Sequence, residues 1–286
     1  MKKCIHANDV SQTALLRAAR QAVASAITGE FPLDPLVEPE LSRAISCIGS
    51  VVKRHGKLIE MGIAGALAIN DRFIVLTNEN IPLTKGAKQL LEAKNSNRSL
   101  AGIRLAADSE ADGMVNVDLV VVDPDAGWAG AYEIKRGNGT TEAGKRRPLI
   151  QKLTAVRLVL ASYARQLGQW PIETVTSAVI DYYGSSGFDP NYTLVRDQLD
   201  DHFGVPIVET VDAVTNAARE ALDAELPALL DPVFESMTRP ALATARLLAP
   251  GISTLGCFGA ASAEVPLAGM GAPVGPARRH ARPVRH

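Results

Sequence analysis

A chain that puts charged residues into an apolar β-hairpin has few folds open to it, and Val117–Gly137 (VDLVVVDPDAGWAGAYEIKRG) does this. Two apolar, β-branched runs flank a turn rich in Pro, Asp and Gly, a combination that predicts two antiparallel strands. Asp118 stands near the start of the first strand, and Glu133 and Lys135 are two apart on the second. Residues two apart on a strand share a face. With Val122 paired near Ala131, or one matching step either way, Asp118 lies across from Glu133 or Lys135. Two carboxylates and an ammonium then converge on one face of an apolar ribbon.

Such an arrangement is costly, because desolvating an unpaired charge costs roughly several kcal/mol per ion even after relaxation. A divalent cation offsets that cost, since hard cations take oxygen ligands and Mg²⁺ sites use one or two carboxylates with waters and phosphate oxygens. The plainer alternative is a cross-strand ion pair on a solvated face, with Lys135 serving Asp118 or Glu133.

Asp118…Glu133-Ile134-Lys135 across a hairpin resembles the signature of the PD-(D/E)XK nuclease superfamily, the restriction-endonuclease-like fold. The resemblance spans roughly residues 40–185. It implies a core running helix, three antiparallel strands, helix, strand, with the catalytic Asp on the second strand and the (D/E)-x-K on the third. It further implies that Asp118, Glu133 and Lys135 are catalytic, that Asp118 and Glu133 bind Mg²⁺ (or Mn²⁺), and that a further Glu comes from the first core helix.

The flanking sequence follows that order. Pro39–Ala68 reads as largely helical, although Gly56 and Gly62 weaken the case for one unbroken helix. Glu60, set among Leu58, Ile59, Met61 and Ile63, is by resemblance the third carboxylate and metal ligand; a boundary residue solvating the helix is the alternative. Arg72–Thr77 or Ile103–Ala106 supplies the first core strand, with a loop and short helix in Asn78–Asn97. Leu149–Leu167 reads as a helix with Pro148 in its first turn. Thr174–Tyr182 reads as a strand, Pro190–Phe203 as an amphipathic helix, Val205–Val208 as a short strand and Asp212–Leu230 as a further helix. The fold expected is α/β: a restriction-endonuclease-like core with a central mixed sheet flanked by helices, an N-terminal helix over Ser11–Ile27 and extra C-terminal helices. The expected divisions are 1–38 (helix and Pro-rich link), 39–210 (core), 211–249 (C-terminal helices) and 250–286 (a disordered basic tail rich in Gly, Ala, Pro and Ser).

The formal net charge is only −1, so no whole-molecule field draws the chain to polyanions. Locally, Arg136, Lys145, Arg146, Arg147, Lys152 and Arg157 follow the proposed active strand with Glu142 as almost their sole counter-charge. They are the expected nucleic-acid-binding residues, with a solvated helix face as the alternative. Gly139–Lys145 satisfies G-x-x-x-x-G-K, but Arg146 stands where a P-loop needs Ser or Thr for Mg²⁺, and Glu142 puts a carboxylate in the cradle.

Other chemistry is sparse. Cys4, Cys47 and Cys257 are too few and too far apart for a disulfide frame or zinc site, and the five histidines lack ligand spacing. Trp128 falls in the hairpin turn, as cover for the sheet edge. The N-terminus lacks a continuous apolar stretch, and there is no run of about 18 apolar residues, so neither a secretory signal nor a membrane span is expected. The expected protein is a cytoplasmic, metal-dependent DNA endonuclease whose partner is nucleic acid, DNA in preference to RNA. A homodimer is compatible with this reading. The alternatives are a non-catalytic DNA-binding or interaction protein on the same fold, and a P-loop-like nucleotide binder.

Overall fold

The computed structural model describes residues 4–5, 11–93, 95, 97–107 and 110–248. In chain order the elements are β1 (Cys4–Ile5), α1 (Gln12–Ile27), α2 (Pro39–Ala68), β2 (Ile74–Thr84), α3 (Lys85–Glu92), α4 (Asn97–Leu100), β3 (Ala111–Asp123) and β4 (Trp128–Lys135). There follow α5 (Ala143–Gly168), β5 (Thr174–Asp181), β6 (Thr193–Leu194), α6 (Leu199–Phe203) and α7 (Ile207–Leu248). Met1–Ala241 forms one compact unit; a second, Leu242–His286, is described only over the end of α7. The sequence expectation for 250–286 lies outside the described residues.

The six strands form one mixed sheet in the order β1-β2-β3-β4-β5-β6, antiparallel through β4 and parallel from β4 to β6. Helices flank both faces, so the α/β class with a mixed, helix-covered sheet is the observed architecture. One face packs Ile59, Ile63 and Leu67 of α2 against Leu119, Val121, Tyr132 and Ile180. The other packs Val156, Val159 and Leu160 of α5 against Val120, Val122, Ala129 and Ala131. Alternating side chains of β3 and β4 thus feed two cores, which explains the continuously apolar run Leu119–Val122 and the apolar Ala129–Tyr132. A third cluster joins Leu15, Ala19 and Val23 of α1 to Val51 and Leu58 of α2 and Val214 of α7. Ser11 caps α1, its hydroxyl accepting the Ala14 N–H at 3.2 Å.

Several segments differ from the sequence reading. α2 is one unbroken helix, and of its glycines Gly62 sits at a close contact: a Cβ there would lie 3.1 Å from Val211 Cγ2 on α7. Packing there offsets the roughly 1 kcal/mol that glycine costs a helix. β2 runs on through Asn78 to Thr84, because the long β3 offers it partners as far as Ala111; Ile103–Ala106 is not a strand. α5 starts before Pro148, at Ala143, since the Lys145 and Arg146 N–H groups already donate to Glu142 O at 2.9 and 3.3 Å. Pro190–Phe203 is not one helix. Thr193–Leu194 pairs with Val179–Ile180 at the sheet edge, which takes its backbone out of helical bonding and leaves two 3₁₀ turns and the short α6. Val205–Val208 is no strand either: Asp200 Oδ1 accepts the Ile207 and Val208 N–H groups at 2.8 and 2.9 Å, and so starts α7. Trp128 opens β4 rather than sitting in the turn, its indole N–H reaching Thr176 Oγ1 at 3.2 Å.

Candidate functional site

The candidate site lies where the β3–β4 ladder ends. The last paired residues are Leu119 and Tyr132, in a register that puts Asp118 opposite Glu133. Just beyond, Asp118 Oδ2 accepts the Ile134 N–H at 2.8 Å. A carboxylate side chain takes over from the ladder at the point where β4 is left pairing only with β5.

The alternation of faces breaks at the same place. Val117 and Val120 both pack on the α5 side, while Asp118 and Leu119 both line a cavity against α2. Opposite them on β2, Asn78 takes φ +52° and lines the same cavity. Left-handed backbone is uncommon outside glycine, and Asn is among the few types that tolerate it. The break turns Asp118 toward Glu60 of α2, while Glu133 keeps the regular β4 alternation and faces α5. Simple alternation placed both carboxylates on one face; the local irregularity separates them.

Lys135 spans the separation. Its Nζ lies 3.3 Å from Glu133 Oε2 and 3.9 Å from Asp118 Oδ2. Glu133 is buried, and its other oxygen accepts from Lys152 Nζ on α5. Glu60, in the cavity with Asp118, is paired with Lys57 one helical turn earlier. Burial raises the Glu60 carboxyl above its ordinary pKa; Lys57 opposes that shift and the Asp118 charge adds to it. Three carboxylates are therefore balanced by three ammoniums. Among the described residues no three His, Cys, Asp or Glu side chains stand close enough together to hold a metal ion. The donors are hard oxygens of the kind Mg²⁺ takes, yet each carboxylate already has an ammonium beside it. A bound cation at Glu133 has to displace Lys152 or Lys135.

The basic residues after β4 do not share one surface. Lys152 serves Glu133. Lys145 pairs with Glu142 at 3.1 Å, inside the P-loop-like stretch. Arg146 donates to Gly187 O, Arg147 is exposed, and Arg157 is partly buried in an open groove with Thr176, Asn191 and Tyr192. Arg136 points away from all of these, into a cavity between α1, α2 and α7.

Sequence reasoning did not single out Asn78, the pairing of Lys152 with Glu133, or Asp181. Asp181 is buried beside Lys135 in the parallel register and holds the following loop through the Ser186 N–H (2.9 Å) and hydroxyl (2.8 Å). Asn at a predicted strand end was the available signal for the first. Nothing in the spacing signals the second.

No protein-family model, curated protein or solved structure matches the chain. No helix among the described residues is long and apolar enough to cross a membrane.

Proposed function

We propose that this chain is a metal-dependent nucleic-acid phosphodiesterase, a DNA endonuclease of the PD-(D/E)XK type. The observation that carries the reading is Lys135 Nζ lying within 4 Å of both Asp118 and Glu133 at the end of a strand ladder. The element order helix, three antiparallel strands, helix, parallel strand supports it.

In this reading Asp118 and Glu133 would hold Mg²⁺ or Mn²⁺ once their lysine partners gave way, with Glu60, in the cavity with Asp118, as the third carboxylate. When bound, the ion supplies Lewis-acid polarisation and a more acidic water. The chain's own residues do the rest. The Ile134 N–H donates to Asp118 and so fixes its rotamer, and Lys152 holds Glu133 in place. Lys135, within 4 Å of both carboxylates, would face the charge that builds on a phosphate oxygen.

Incubating the protein with supercoiled plasmid, single-stranded DNA and RNA, with and without Mg²⁺, tests this. Metal-dependent nicking is expected, abolished by Asp118→Asn or Glu133→Gln and reduced by orders of magnitude in Lys135→Ala, since one such donor is worth about 2.7–4 kcal/mol. Absence of cleavage on all three substrates with either metal refutes it. The complete pairing of three carboxylates with three ammoniums favours one second reading, a non-catalytic nucleic-acid-binding protein on this fold. Binding of DNA without nicking separates the two.

A further inference from the structure

A cavity of about 180 Å³ lies between α1, α2 and α7, close to the chain that leaves β4. Its walls are aliphatic: Val23, Val51, Leu58 and Leu222. Its polar groups are Arg54, Arg136, Arg219, His55 and Thr215, with no Asp or Glu among the lining residues. Arg136 is the deepest cation. Its Nε and Nη1 are buried, and neither has a hydrogen-bond partner among the described residues.

The other polar groups are held at the margin by neutral partners. Arg54 Nε donates to Ser50 Oγ at 3.3 Å, Arg219 Nη2 to Asn216 Oδ1 at 2.5 Å, and His55 Nε2 shares a 3.0 Å bond with Thr215 Oγ1. Among the described residues no carboxylate pairs with any of the three arginines. Burying guanidinium nitrogens without an acceptor is strongly unfavourable. An arginine held this way beside an apolar space lacks a counter-charge that an anion from outside the chain could supply.

We propose that this cavity binds a small organic phosphate. The phosphoryl group meets Arg136, with Arg54 and Arg219 closing on it from the rim, and an apolar body of a few carbons lies against Val51, Leu58 and Leu222. A phosphate suits three guanidiniums better than a carboxylate does: it carries up to two charges and offers three acceptor oxygens to planar donor forks. The size of the apolar body follows from the space, since a cavity of about 150 Å³ takes benzene. Arg136 is among the residues expected to bind nucleic acid, but none of the cavity residues is proposed to hold metal and the readout is binding by the metal-free protein, so this inference and the endonuclease reading can fail separately.

Calorimetric titration of the whole chain in EDTA with phenyl phosphate and with inorganic phosphate is the test. Phenyl phosphate is expected to saturate one site, and inorganic phosphate to bind more weakly because it leaves the walls empty. Arg136→Gln is expected to weaken phenyl phosphate about ten- to a hundredfold, the range for a charge-assisted hydrogen bond, without lowering the thermal midpoint. Arg219→Ala, at the exposed rim, is expected to weaken it severalfold and does not depend on the core's tolerance. Displacement by a short single-stranded oligonucleotide assigns the phosphoryl group to a nucleic-acid backbone, and failure to displace assigns it to a free small phosphate. The proposal is overturned if phenyl phosphate shows no saturation at millimolar concentration, or if both variants bind it as wild type does.

Discussion

Replacing Glu133 by Gln removes one negative charge from between two ammoniums and changes almost no volume. The Glu133 side chain is 6% exposed and accepts from Lys152 Nζ and, at 3.3 Å, from Lys135 Nζ. Breaking a fully buried pair from one side costs about 3–5 kcal/mol. Here the lysine side chains are 35% and 26% exposed, so both ammoniums can turn to water when the carboxylate is gone. Discounting for that screening leaves about 2 kcal/mol, or roughly 4–8 °C in the thermal midpoint of a unit this large. Lys152→Met should cost about 1 kcal/mol, and the double variant should show a coupling of about that size. Urea unfolding in EDTA, followed by circular dichroism, measures all three. Repeating it in Mg²⁺ separates the structural role from the proposed ligand role: wild type should gain about 2.7 kcal/mol at a hundred times the dissociation constant, and Glu133→Gln should gain nothing. A Glu133→Gln midpoint equal to wild type in EDTA, with no coupling to Lys152, refutes the account of a charge-balanced centre.

Gly137→Ala should be strongly destabilising. Gly137 has φ +76° and its new Cβ would lie 1.8 Å from Asp181 Oδ1, so the left-handed backbone costs about 1–2 kcal/mol before the displacement of Asp181 is counted; a thermal midpoint within 2 °C or so of wild type contradicts this. Glu60, whose pKa is raised chiefly by burial, binds its proton more tightly in the folded than in the unfolded chain. Its contribution is therefore present below the unfolded value and lost as pH rises through the folded one, so Glu60→Gln should flatten the fall in stability with rising pH above about 4.3. A pH–stability curve superimposable on wild type would show that Glu60 is not desolvated. His55, lowered first by burial and then by the Arg136 charge, should titrate below its ordinary value in the free protein and move upward when phenyl phosphate is bound. Proton NMR of the imidazole reads both, and an unmoved titration speaks against an anion beside Arg136.

The hairpin was legible in the sequence because its information is local. Alternation and turn chemistry over Val117–Gly137 determine two strands, and the register that sets Asp118 opposite Glu133 is one of those that their apolar parity allows. The helix of Pro39–Ala68 was readable for the same reason, since it buries its own periodic stripe, and the strand at Thr174 from its apolar and β-branched run. What the residues around the site do to one another was not local. Lys152 reaches Glu133 only because α5 crosses back over that face of the sheet. Asp118 turns to α2 only because both strands lose alternation at Asn78, whose left-handed backbone is stabilised by pairing on either side of it. Thr193–Leu194 became a strand through a free sheet edge, against its helical pattern. Arg136, one of six cations in a basic stretch by sequence, was separated from the others by strand parity and the packing of three helices. Spacing along the chain determines which side chains share a face; only the packing of one element on another decides which charges meet, because that distance is set by contacts between segments far apart in sequence.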